Sequence, residues 1–117
     1  MIHFGLNIGA RHISISTCGI ADKIRELAKL KFSCTLSVSL HYTDDETRSK
    51  IMPVNRKYNI KELLSACKYY EEETGKRISF EYALIKGLND SIKDAERLVS
   101  LIRNIKSHVN LIPINEI

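Results

Sequence analysis

A chain of 117 residues has room for one compact domain, and 44% apolar with 27% charged residues is an ordinary globular composition, neither disordered nor fibrous. No apolar run approaches the ~20 residues that span a bilayer, and Met1-Ile2-His3-Phe4-Gly5 lacks the basic start and apolar core of a secretion signal, so a cytoplasmic location is expected. The excess of 18 Lys+Arg over 14 Asp+Glu, a net charge of +4, suits a phosphate-bearing partner but does not identify one.

Residues 1–10 have no clear period and read as a connecting segment. Arg11 to Thr17 then alternates polar and apolar residues and reads as a strand. From Ile20 to Leu30 the apolar positions Ile20, Ile24, Leu27, Ala28 and Leu30 form one stripe, as on a surface helix packed against a sheet. A second alternating segment runs from Thr35 to His41, followed by a short helix that Asp44 or Asp45 can cap and Pro53 ends. Pro53 to Tyr58 reads as a loop.

The next helix, Lys61 to Thr74, turns Leu63, Leu64, Cys67 and one of Tyr69 or Tyr70 inward, and Gly75 supplies its left-handed stop. A third strand covers Arg77 to Ile85. Asn89-Asp90-Ser91 offers N-caps for a helix ending near Ile105, with Ala95, Leu98, Val99 and Ile102 toward the core, and a last strand spans Ser107 to Ile112.

The order β-α-β-α-α-β-α-β predicts an α/β fold of about four parallel strands with right-handed crossovers, part of a (β/α) barrel or a doubly wound sheet. Parallel strands covered on both faces are normally apolar throughout, yet these alternate. On one parity stand Ile13, Ile15, Leu36, Val38, Leu40, Ile78, Phe80, Tyr82, Leu84, Val109 and Leu111, which take the helices. On the other stand Ser14, Ser16, Ser37, Ser39, His41, Ser79, Glu81, His108 and Asn110. In a curved, open barrel this second face is a polar lumen suited to a polar ligand; in a flat antiparallel sheet it would simply meet water.

Ligands of β/α folds bind where the strands end, which directs attention to Ser16-Thr17-Cys18-Gly19, Ser39-Leu40-His41, Ile85-Lys86-Gly87 and Pro113-Ile114-Asn115. Gly19 would let a helix N-terminus approach a bound group. Cys18, Cys34 and Cys67 have no metal-binding spacing and read as reduced, packed thiols. Arg48, Arg56 and Lys57 read as solvated surface.

In order, the segments Gly9-Ala10-Arg11-His12-Ile13-Ser14-Ile15-Ser16-Thr17-Cys18-Gly19, Ser39-Leu40-His41, Asp44-Asp45-Glu46-Thr47-Arg48, Met52-Pro53-Val54-Asn55-Arg56-Lys57-Tyr58, Phe80-Glu81-Tyr82, Gly87-Leu88-Asn89-Asp90-Ser91 and Asn110-Leu111-Ile112-Pro113-Ile114-Asn115 give a chain-long resemblance. It is to the radical S-adenosylmethionine (SAM) methyltransferases of the RlmN type, which methylate C2 of an adenine in large-subunit rRNA and some tRNAs. The resemblance implies a segment, residues 1–117, of an incomplete barrel of six β/α units in which SAM lies across the strand ends and ligates a [4Fe–4S] cluster. It also implies that Ser16, Ser39, Leu40, His41 and Asn115 contact SAM.

The family's C-x-x-x-C-x-x-C cluster run and its glycine-glutamate loop belong upstream of this segment, and its methyl-carrying cysteine downstream. No catalytic residue and no metal ligand is therefore assigned, and the cluster is expected only in a complete protein. Cys18, Tyr42 and Glu116 depart from the family's usual residues, which leaves the related C8-methylating activity open as an alternative. A non-catalytic SAM- or RNA-binding module is the other. Open sheet edges are expected to make the isolated chain self-associate.

Overall fold

The computed structural model describes residues 14–30 and 34–114. The segment 1–10, the start of the first predicted strand and Asn115 lie outside them.

Strand β1 (Ser14–Thr17) leads into helix α1 (Ala21–Lys29), β2 (Thr35–Ser39), α2 (Asp45–Ile51), α3 (Val54–Lys57), α4 (Ile60–Thr74), β3 (Ile78–Leu84), α5 (Ile92–Ile102) and β4 (Ser107–Pro113). The four strands form one sheet in the order β1-β2-β3-β4, every neighbouring pair parallel. This is the expected α/β fold.

Local chemistry sets the helix ends. Asp44 caps α2 by accepting the Thr47 N–H at 2.8 Å, and Asn59 caps α4 by accepting the Glu62 N–H at 2.9 Å. Ser91 and Asp94 form a reciprocal capping box at α5, and Gly75, at φ 70°, closes α4 in the left-handed conformation. The predicted loop after Pro53 is instead the short helix α3. Pro53, at φ −56°, is preset for the first turn, and the Asn55 side chain is fixed from within by Asp45 and Ser49.

The buried apolar cluster takes strand residues from one face of the sheet only: Leu36, Val38, Ile78, Phe80 and Tyr82, with Ile15, Leu84 and Val109 partly buried. Ala21, Ile24 and Ala28 of α1 and Leu63, Leu64, Ala66, Cys67 and Tyr70 of α4 close over it. Each fully buried Leu, Ile or Phe side chain contributes about 1.5–3 kcal/mol. That sum fixes the strand register, because a one-residue slip would turn the whole apolar set outward.

Two expectations about this core are corrected, and one choice left open is resolved. Ile20 and Leu30, at the ends of the α1 stripe, are exposed because the helix is shorter than its apolar pattern. Tyr70 rather than Tyr69 is the inward tyrosine: its hydroxyl donates to the Cys34 carbonyl at 2.7 Å. Ala95, Val99 and Leu111 are exposed, since α5 and the edge strand β4 leave an open apolar cleft between them, lined also by Tyr82, Leu84 and Leu98.

Candidate functional site at the strand ends

The register aligns the second parity into rows. Ser16, Ser37, Ser79 and His108 lie abreast across β1 to β4, and Ser39, Glu81 and Asn110 form the next row toward the strand C-termini. All stand opposite the apolar cluster. Parallel pairing rules out the alternative of a flat antiparallel sheet wetted on one side.

Of the residues implied to contact SAM, Ser16 is exposed on β1, Ser39 is half-buried at the end of β2, and His41 is half-buried just beyond it. Leu40 is fully buried in the core, and its backbone is occupied: its N–H donates to the Glu81 carbonyl at 3.1 Å, and its carbonyl accepts from Tyr42 and Arg48. Asn115 lies outside the described residues.

His41 adopts φ 59°, a left-handed conformation uncommon for a residue with a Cβ. Two contacts hold it there. Its Nδ1 accepts the Ala83 N–H at 2.9 Å, and its carbonyl accepts the Asn89 side-chain amide at 2.6 Å. An Nδ1 acceptor must be deprotonated, so the neutral ring carries its proton on Nε2. Burial, then the charge of Arg48, lower the His41 pKa from the ordinary imidazole value, opposed by Glu81.

Asn89 is the knot of this corner. Its side-chain amide also donates to the Ala83 carbonyl at 2.7 Å, its Oδ1 accepts the Ile85 N–H at 2.7 Å, and its carbonyl accepts the Tyr82 hydroxyl at 2.7 Å. It joins the end of β3 to the segment after β2.

Arg48 overturns the surface expectation, for it is fully buried. Its Nε donates to the Leu40 carbonyl at 3.0 Å, Nη1 to Asn55 Oδ1 at 2.8 Å, and Nη2 to the carbonyls of Cys18 at 2.8 Å and Ser39 at 2.9 Å. One guanidinium thus clamps the C-terminal ends of β1 and β2, the two strands that carry Ser16 and Ser39. Asn55 is held in turn by Asp45, whose carboxylate also accepts the Ile60 N–H at 2.9 Å. A lone Arg between Thr47 and Ser49 gives no pattern to distinguish it from a solvated helix face.

Gly19 also serves Arg48. At φ 121°, a Cβ there would stand 3.1 Å from Arg48 Nη2 and 3.2 Å from Leu63 Cδ2. The N–H groups of Gly19 and Ile20 already donate to the Thr17 hydroxyl, at 3.1 and 3.4 Å, so they are not free for a bound group.

Glu81 makes no ion pair among the described residues, and its Oε2 is buried without a hydrogen-bond partner. Such an acceptor on a polar face suits a ligand rich in hydroxyl and amine donors, as an adenosyl group is. The cysteines do not suit an iron–sulfur cluster. Cys34 and Cys67 are buried, burial pushes the Cys67 thiol up to about 12, and the described residues contain no group of three metal-ligating side chains.

A parallel sheet with its helices over one face and aligned polar side chains at the strand ends is a β/α fold of the kind that receives ligands at those ends. The model of the radical SAM superfamily matches residues 2–101, and the chain belongs to that superfamily. Proteins named probable dual-specificity RNA methyltransferase RlmN are similar to it: one from Clostridium perfringens (strain 13 / Type A) is 54% identical over 114 residues, covering 97% of this chain and 33% of that protein. Another, from Clostridium botulinum (strain Eklund 17B / Type B), is 55% identical over 114 residues, with the same two shares of 97% and 33%. Among solved structures, a radical SAM methyltransferase from Sphaerobacter thermophilus superposes with a TM-score of 0.90 at 50% identity, covering 96% of this chain and 33% of that one. The chain therefore spans about a third of the length of the relatives it matches.

Proposed function

We propose that this chain is a segment of a radical SAM methyltransferase barrel and contributes half of its SAM pocket, the complete protein methylating C2 of an adenine in large-subunit rRNA and in tRNA. The observation that carries this reading is the alignment of Ser16, Ser37 and Ser79, then Ser39 and Glu81, along one face that ends at His41. Ser16, Ser39 and His41 bind SAM on that face, Leu40 holds the turn between Ser39 and His41, and Asn115 is a further SAM contact. The names of the relatives support an RNA substrate, and a substrate of this kind supports a cytoplasmic location.

When bound, SAM together with a cluster held elsewhere in the complete protein supplies the radical and methyl-transfer chemistry. This chain's own residues bind and orient. Hydroxyls of Ser16 and Ser39 offer donors and acceptors, and neutral His41 offers one Nε2 proton. The segments after β1 and β2 are held at fixed spacing by Arg48, so these groups meet a ligand already arranged, which reduces the ordering cost of binding.

Two measurements test this. Calorimetry on the chain should give micromolar SAM binding, with no iron or sulfide retained after anaerobic reconstitution; absence of binding up to millimolar SAM removes the pocket. Replacing the corresponding third of the Clostridium perfringens relative by this segment should preserve adenine C2 methylation, read by mass spectrometry of digested RNA. Methylation at C8 would move the assignment to the related activity, and SAM binding without any methylation would leave a binding module.

The isolated chain pairs with a second copy through the free edge of β4, next to which Leu111, Ile112 and Ile114 are exposed. A clean monomer at high concentration in analytical ultracentrifugation would refute that.

A further inference from the structure

We propose that Glu81 is the acceptor for the ribose hydroxyls of an adenosyl ligand, an inference that rests on the SAM-pocket reading. Glu81 is on β3, an interior strand, in register with Ser39 on β2 and Asn110 on β4. At the ~4.8 Å spacing of neighbouring strands this row is about 10 Å wide, the length of a nucleoside. The only acid in it is Glu81.

Its Oε2 is closed off and unpaired. A buried carboxylate oxygen without a donor is destabilising, and the nearby donors are committed elsewhere. The Ala83 N–H is bound to His41 Nδ1, and the Arg48 guanidinium is spent on three carbonyls and Asn55. The terminal torsion of a glutamate is broad, so a partial rotation turns Oε2 toward the polar face at little cost. There it accepts from a ribose O–H, the use that acidic residues serve in dinucleotide-binding folds.

An ammonium is the competing donor, and the methionine probe tests for it.

The test is calorimetry on the whole chain, wild type and Glu81→Gln, with adenosine, 2′,3′-dideoxyadenosine and methionine as probes, alongside urea denaturation of both proteins. Glu81→Gln should weaken adenosine about 10-fold to 100-fold, the range of a charge-assisted hydrogen bond. It should leave the weaker dideoxyadenosine affinity unchanged and the protein at least as stable as wild type, because an unpaired buried charge has been removed. Equal loss for both nucleosides, loss confined to methionine, no loss at all, or an unfolded Gln variant would each overturn the assignment to ribose. Failure of the wild type to bind either SAM or adenosine at millimolar concentration would instead sink the pocket reading, and Glu81's role with it.

Discussion

Replacing Arg48 by Met removes the guanidinium and keeps most of the side-chain volume. It takes one donor from each of four acceptors, of which two lie in buried contacts: Asn55 Oδ1 and the Leu40 carbonyl. The Leu40 carbonyl keeps the Tyr42 N–H at 2.7 Å, whereas Asn55 Oδ1 keeps no other donor among the described residues, and the Cys18 and Ser39 carbonyls are partly within reach of water. With about 1–3 kcal/mol for each acceptor left unsatisfied, discounted for the wetter pair, the expected loss is about 3–5 kcal/mol. Urea denaturation followed by far-UV circular dichroism reads it as a fall in midpoint at constant m. Arg48→Lys should recover only part, because an ammonium cannot reproduce the planar fork that meets carbonyls of two strands at once. A loss for Arg48→Met below about 1 kcal/mol, which is within surface behaviour, would refute the clamp.

Gly19→Ala should cost about 1–3 kcal/mol, since it combines a disfavoured positive φ with a Cβ against Arg48 and Leu63; a neutral result in the same denaturation assay would mean that the turn adjusts freely. Ser91→Ala removes the capping box and should cost about 1 kcal/mol, with faster amide exchange confined to the first turn of α5. Burial alone would raise the Asp94 carboxyl, but hydrogen bonds from Ser91, Arg97 and Thr43 outweigh it and hold the pKa below the ordinary aspartate value. A depressed carboxylate stabilises the fold above its unfolded pKa and loses that contribution as pH falls through the lower folded value, so Asp94→Asn should flatten the acid limb of stability against pH. The lowered His41 pKa has a matching sign: stability is complete above the unfolded imidazole value and declines as pH falls toward the folded one. His41→Asn, which offers an acceptor in place of Nδ1 and tolerates the left-handed backbone, should abolish that decline, and a slope that persists would assign it to another group.

The strands and helices were legible because period and cap coincide. Serine alternation in β1 and β2, Asp44 and Ser91 among the offered caps, and Gly75 after an apolar stripe each have a local cause, and each stands where that cause puts it; Asn59 was not among the expected caps. The polar face was legible for the same reason, since parity is a local property of a strand. Its meaning depended on parallel pairing, which the long helical connections implied and the register bears out.

Arg48 and Asn89 were illegible as structural residues because their partners are mostly backbone carbonyls and N–H groups, which every residue possesses and no side-chain pattern marks; Asn55 was illegible because Arg48, Asp45 and Ser49 meet it only once the chain has folded. Arg48 reaches carbonyls 30, 9 and 8 positions away in the chain. Only the parallel placement of two strand ends brings those oxygens within one guanidinium's span. The exposure of Val99 and Leu111 escaped for a complementary reason: helical and strand periods say that a face is apolar, but not whether another element covers it.

The polar face and the buried arginine are one arrangement. Small serines on β1 and β2 suit the proposed ligand face, but they contribute little packing of their own to hold the two strand ends together. Arg48 supplies that cohesion from the opposite side of the strand ends, through hydrogen bonds rather than bulk, and Gly19 gives it space. If this division holds, enlarging Ser37 to Val should stabilise the sheet while crowding the proposed ligand face, whereas loss of Arg48 should loosen both strand ends together. Hydrogen exchange at Leu40 and His41 would separate these outcomes: protection unchanged or raised in the first variant, and lowered at both positions in the second.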